Sequence, residues 1–121
     1  MTAPGPLTAQ QVGEQLAALG KQLDGLIKQI GEAETTAVNA REDFTLAHAK
    51  AFLSADGAMD VRKHVAIEAT HPQRIAAELA EAEVRGLRRQ IDSVRIRIDI
   101  GRSLGAAIRA ETSLAGSGHA A

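Results

Sequence analysis

The chain contains no Cys, no Trp and no Tyr, and only two Phe and three Pro among 121 residues. Without cysteine there is no disulfide scaffold, no thiolate metal site and no Cys nucleophile. With Phe44 and Phe52 as its only aromatics, it has almost nothing on which nucleic-acid bases stack. No apolar run approaches 18 residues, so no membrane-spanning helix is expected. The opening Met1-Thr2-Ala3-Pro4-Gly5-Pro6 lacks the basic and apolar regions of a secretion signal, and a cytoplasmic location is expected. Phosphate-cradling glycine loops, nucleophile elbows and His-Glu-x-x-His are all missing, so no enzymatic activity and no cofactor are expected.

Large apolar side chains are also scarce. Of the hydrophobic residues 24 are Ala, leaving 30 Val, Ile, Leu, Met and Phe, about a quarter of the chain. A large side chain contributes about 1.5–3 kcal/mol on full burial and Ala far less, while ordering costs about 1.5 kcal/mol per residue. The core of one copy is therefore thin. Long helices stabilised by association are the expected outcome.

What the chain does have is period. From Thr8, a plausible N-cap, apolar or Ala residues recur at Val12, Leu16, Leu19, Leu23, Leu26, Ile30, Ala33, Ala37, Ala40, Phe44, Ala47 and Ala51. The steps alternate between four and three, an unbroken heptad seam over about 40 residues, or about 60 Å of helix. Such a seam packs against a second helix of the same chain or another subunit. Gly13, Gly20, Gly25 and Gly31 lie within it. Each costs up to about 1 kcal/mol relative to Ala, so this helix is expected to kink or to order on assembly.

Residues 54–60 break the pattern. Gly57 suits a positive φ and Asp60 is a good N-cap. Pro72 interrupts the next helix, and Thr70 with Gln73 has capping-box spacing. From Ile75 the helical pattern runs through Leu79, Ala82, Leu87 and Ile91. Val94–Ile100 alternates apolar and polar residues and read alone is a strand. A lone strand has no partner here, so a helix is preferred, with Val94 and Ile98 on one face and Ile96 and Ile100 on another, as in a helix buried between two neighbours. Gly101 and Ser103 are read as punctuation. The expected architecture is all-α: a long heptad-patterned N-terminal helix packed in a helical hairpin or coiled coil with a kinked C-terminal helical segment, oligomeric. Helices are placed at about 8–53, 60–70, 72–100 and 103–112, in one domain over 8–112, with a disordered 1–7 and a flexible 113–121.

The net charge of −1 conceals an asymmetry. Residues 1–60 carry four basic and eight acidic side chains; residues 61–121 carry ten and seven. Arg88, Arg95, Arg102 and Arg109 repeat every seven residues, which on a helix drifts only about 20° per repeat. They form a stripe about 30 Å long, widened by Arg85, Arg89 and Arg97. A stripe of this kind suits a phosphate backbone. The competing structural reading pairs these arginines with Glu81, Asp92 and Asp99 or with an acidic segment of a neighbour. Phe44 is read as core, and Phe52, close to the loop, as exposed. Binding would thus rest on phosphates with little sequence preference. His64, Glu68 and His71 share a helical face but lack a fourth ligand, and Asp56 and Asp60 are too sparse for a calcium loop; no metal site is expected.

The order of these features resembles the UvsY recombination mediators of T-even-like phages, over residues 35–112. Ala40-Arg41-Glu42-Asp43-Phe44 is similar to the family's Lys-Ala-Arg-Leu-Asp-Tyr segment; Arg41 falls on the family Arg, and the family Lys falls on Asn39. Met59-Asp60 is similar to the family's Ser-Met-Asp. Gly101-Arg102-Ser103-Leu104-Gly105-Ala106-Ala107-Ile108-Arg109-Ala110-Glu111 resembles its C-terminal Ser-Arg-Gly…Ile…Met-Arg-Ala-Phe-Glu stretch. The resemblance implies a helical subunit in a ring of six or seven, encoded by a phage and acting in the bacterial host cytoplasm. It further implies binding of single-stranded DNA, displacement of a single-strand binding protein and help in loading a RecA-type recombinase. Arg41, Arg85, Arg88, Arg89, Arg95, Arg97, Arg102 and Arg109 are the candidate DNA contacts. Leu16, Leu19, Leu23, Leu26, Ile30, Phe44, Ile98, Leu104 and Ile108 are the candidate oligomer interface. The rival expectation is a non-enzymatic structural or adaptor protein, of virion-assembly or scaffolding type, that docks a partner through its coiled-coil face.

Overall fold

The computed structural model describes residues 5–119. Residues 1–4 of the expected disordered N-terminus and 120–121 of the expected tail lie outside the described residues. The described chain is all-helical: α1 (Ala9–Ser54), α2 (Met59–Ala69) and α3 (His71–His119).

Helix α1 starts where Thr8 caps it. The Thr8 hydroxyl accepts from the Gln11 N–H at 3.2 Å, and the Thr8 N–H donates to Gln11 Oε1 at 2.9 Å. This reciprocal pair satisfies donors that the first turn leaves free. All twelve seam positions from Val12 to Ala51 are buried or half-buried. The four glycines do not interrupt α1, because they lie off the seam that holds it.

Among the described residues, those before Lys28 and those after Arg89 form one unit and residues 28–89 another. In the first, α1 and α3 run antiparallel, with Val12 beside Gly105 and Leu16 beside Gly101. A Cβ at Gly101 would lie 2.7 Å from Leu16 Cδ2, so this glycine is the hole that the Leu16 side chain fills. The expectation that Gly101 and Ser103 punctuate the helix is corrected accordingly: α3 is continuous there. It also continues over 113–119, where a flexible tail was expected; no Pro stands beyond Pro72 to stop it.

The second unit holds the lower seam. Ala33, Ala37 and Val84 form a buried cluster, with Ile30, Ala80 and Leu87 packed on it. Ala33 and Ala37 of α1 cluster with the larger Val84 of α3 here, the reverse of Leu16 against Gly101. The turn after α1 has Gly57 at φ +105°, as its sequence suggests. Arg62 closes the end of α1: its guanidinium donates to the Phe52 carbonyl at 3.1 and 3.3 Å and lies 4.5 Å from the Phe52 ring centroid. Asp60 is not the N-cap of α2. Ala58 is, without a side-chain bond, and Asp60 sits in the first turn, where its charge complements the helix dipole.

The interruption near Pro72 falls at Thr70, and Pro72 is the second residue of α3, where a missing N–H costs nothing. The expected Thr70–Gln73 capping box does not form. The Thr70 hydroxyl donates to the Ala66 carbonyl at 2.6 Å and its N–H bonds the same oxygen at 3.1 Å. Gln73 Oε1 is left buried without a partner.

Val94–Ile100 is helical, not strand. Val94 is 2 % exposed and Ile98 half-buried, but Ile96 and Ile100 are 59 % and 63 % exposed. One face is buried within the chain, not two.

Candidate nucleic-acid interface

Helix α3 carries its own unbroken seam: Ala77, Ala80, Val84, Leu87, Ile91, Val94, Ile98, Gly101, Gly105 and Ile108, all buried or half-buried. The residue after every second seam position lies on one edge of the helix. That edge reads Glu81, Arg88, Arg95, Arg102, Arg109. The corresponding edge of α1, following Val12, Leu19, Leu26, Ala33 and Ala40, reads Gly13, Gly20, Ile27, Glu34, Arg41. Antiparallel packing brings the two edges together.

In the unit of residues 28–89 this edge is closed by ion pairs. Arg41 Nε donates to Glu81 Oε1 at 2.8 Å and Nη2 to Oε2 at 2.7 Å, a fork-on-carboxylate geometry. The Arg41 guanidinium lies 5.5 Å from the Phe44 ring centroid. Arg88 lies 3.8 Å from Glu34. Arg41, Arg85 and Arg88 line one groove together with Glu34, Glu42 and Glu81; Arg41 and Arg88 are paired there, while Arg85 has no carboxylate within 4.0 Å among the described residues. The hydrogen bonds from Arg41, opposed by partial desolvation, hold the Glu81 carboxyl below its ordinary range, and the same bonds raise Arg41.

This sets a pH dependence. The folded pKa of Glu81 is below its unfolded value, so its contribution is present above the unfolded pKa of about 4.3 and is lost as pH falls through the folded value. Glu81→Gln is expected to lower Tm at pH 7, with the variant and wild-type Tm curves converging as pH drops below about 4. Parallel curves down to pH 3 would contradict the assignment.

In the other unit the same edge is open. Val12 faces Gly105, so Gly13 and Arg109 follow as edge neighbours; the same spacing places Gly20 by Arg102 and Ile27 by Arg95. Arg95, Arg102 and Arg109 are exposed. Among the described residues none of them has a carboxylate within 4.0 Å or a side-chain hydrogen-bond partner. Asp92 and Asp99 lie one position further round α3 and, among the described residues, are also without an ion pair. Seven-residue steps separate the three guanidinium-bearing positions by about 10 Å each.

The remaining candidates do not join this row. Arg89 projects from the side of α3 away from the seam, and Arg97 lies on the opposite edge, in a groove with Gln15, Leu16, Leu19, Ile100, Gly101 and Leu104. Of the candidate oligomer contacts, Leu16, Leu19, Leu23, Leu26, Ile30, Phe44, Ile98 and Ile108 lie in the intrachain seams, and Leu104 is exposed. The sequence reading named Glu81 as a possible partner of the α3 arginines, but missed that it pairs with Arg41, missed Glu34 beside Arg88, and missed the α3 seam. The signal was present: counting Ala as a seam residue after Pro72, as before Ser54, and adding Gly101 and Gly105, recovers the four–three alternation.

Among the described residues no group of His, Asp or Glu is placed to hold a metal, and no helix is long and apolar enough to cross a membrane. Comparison with protein-family models, curated proteins and solved structures finds no match to this chain.

Proposed function

We propose that this chain binds single-stranded DNA through phosphate contacts made by the α3 arginine row, in the manner of the phage recombination mediators that its sequence resembles. In this reading it acts as a homo-oligomer in the cytoplasm of a bacterial host, without a chemical step of its own. It helps a RecA-like recombinase load where a single-strand binding protein is displaced. The observation that carries the reading is the alignment of Arg95, Arg102 and Arg109 on one edge, exposed and, among the described residues, without carboxylate partners. The near-absence of aromatics makes the contact a phosphate contact, indifferent to sequence. Oligomerisation multiplies a few weak contacts per subunit into useful affinity. Arg41, the position matching the family motif, is committed to Glu81 and is assigned to stability.

A homopolymeric oligonucleotide titrated at two salt concentrations tests this, with light scattering for the size of the complex. Three phosphate contacts per subunit weaken binding about twentyfold between about 50 and 200 mM salt. Absence of binding at about 50 mM by a confirmed oligomer would sink the proposal. A second reading, an adaptor docking a partner helix, draws on the apolar groove between Leu16, Leu19, Ile100 and Leu104. It is favoured if oligomers form, DNA is ignored, and Ile100→Asp abolishes partner capture.

A further inference from the structure

Resting on the proposed DNA binding, the geometry points to Gly13 and Gly20 of α1 as the residues that keep the arginine row open to a single strand. The edge is built alike in both units. Where α1 presents Glu34, the facing Arg88 lies 3.8 Å from its carboxylate. By the same register Arg102 and Arg109 stand opposite Gly20 and Gly13, so α1 offers them no side chain at the position equivalent to Glu34. A glutamate at either glycine would stand where Glu34 stands relative to Arg88. It would neutralise its arginine and put a negative charge on the path of the strand.

Neither glycine is needed for packing. A Cβ added at Gly13 or Gly20 meets nothing within 4 Å, in contrast to Gly101, which lies against Leu16, and Gly105, where it would meet Val12 and Arg109 Nη1 at 3.4 Å each. Neither has a positive φ. Both sit inside a long helix where any other residue but proline is a better helix former. Packing does not require glycine at these two consecutive edge positions, just as it does not at Gly25 and Gly31 elsewhere on α1; what sets Gly13 and Gly20 apart is their place on the edge. There they leave clearance and no charge beside two unpaired arginines: the strand runs along the α3 edge, over α1 backbone, with phosphates on Arg102 and Arg109.

The test uses the full chain and an oligothymidylate of about 30 nucleotides. Gly13→Glu/Gly20→Glu is compared with Gly25→Glu, the same substitution in the same unit at an exposed position off both edges, where a Cβ again meets nothing. Both variants are expected to retain the helical signal and a Tm no lower than wild type. The double variant is expected to bind at least tenfold more weakly, with a salt dependence reduced by about 1.4 units of the log–log slope, two contacts at about 0.7 each. Gly25→Glu is expected to stay within about threefold of wild type. Equal binding by the double variant and Gly25→Glu overturns the assignment of the glycine edge while leaving DNA binding in place. Wild-type protein that binds no DNA removes the functional reading and this inference together.

Discussion

Replacing Arg95, Arg102 and Arg109 together by glutamine is expected to weaken single-stranded DNA binding about a hundredfold near 0.1 M salt. Each phosphate contact on a single strand contributes about 0.7 to the log–log salt slope, so three contribute about 2 units, and their counterion-release advantage fades toward 1 M. The fold should be indifferent to the change. None of the three guanidinium groups has an ion-pair partner among the described residues, and exposed substitutions without partners stay within about 0.5 kcal/mol. Arg41→Gln should behave in the opposite way. It removes both hydrogen bonds to Glu81, lowers Tm and abolishes the acid-sensitive component, yet leaves DNA affinity within about twofold. Comparing the two variants by filter binding and thermal melts separates arginines that bind a ligand from those that brace the helices. If the triple variant binds DNA as wild type does, the row is not the interface.

The second large effect concerns the helix through residues 94–100. Val94→Asp is expected to cost about 3–5 kcal/mol, because it removes a buried apolar side chain and buries a carboxylate without a partner. For a chain of this size that is about 10–20 °C in Tm, enough to unfold much of a marginally stable protein. Ile96→Asp, only two residues away and 59 % exposed, is expected to change stability by about 0.5 kcal/mol or less. A strand with period two would put residues 94, 96, 98 and 100 on one face and make the two substitutions equivalent. Thermal melts of the pair therefore decide between the periods.

The α1 seam was legible because its positions step by four and three without a miss, even where they are Ala. The turn at Gly57 was legible because its positive φ is a local demand that glycine meets. The α3 seam was not, for two reasons. Gly101 and Gly105 resemble punctuation until Leu16 and Val12 are seen against them. Ile96 and Ile100 add an apolar alternation that the packing does not use. Capping shows the same boundary. Thr8-x-x-Gln11 and Thr70-x-x-Gln73 carry the same motif, but only the first closes; the Thr70 N–H and hydroxyl are already taken by Ala66, the last turn of the preceding helix.

The sequence by itself determined the all-helical character, the long first helix, its break and the seven-residue arginine repeat, all properties of a segment and its nearest neighbours along the chain. Only the tertiary structure decided which arginines are occupied. Arg88 and Arg95 look alike in one dimension, each the residue after a seam position. Antiparallel packing pairs each step of seven up α3 with a step of seven down α1. The same repeat therefore meets a carboxylate at Glu34, then an isoleucine at Ile27 and glycines at Gly20 and Gly13. Whether an arginine braces the fold or faces outward depends on residues some 50–100 positions away, brought beside it by the register of two helices.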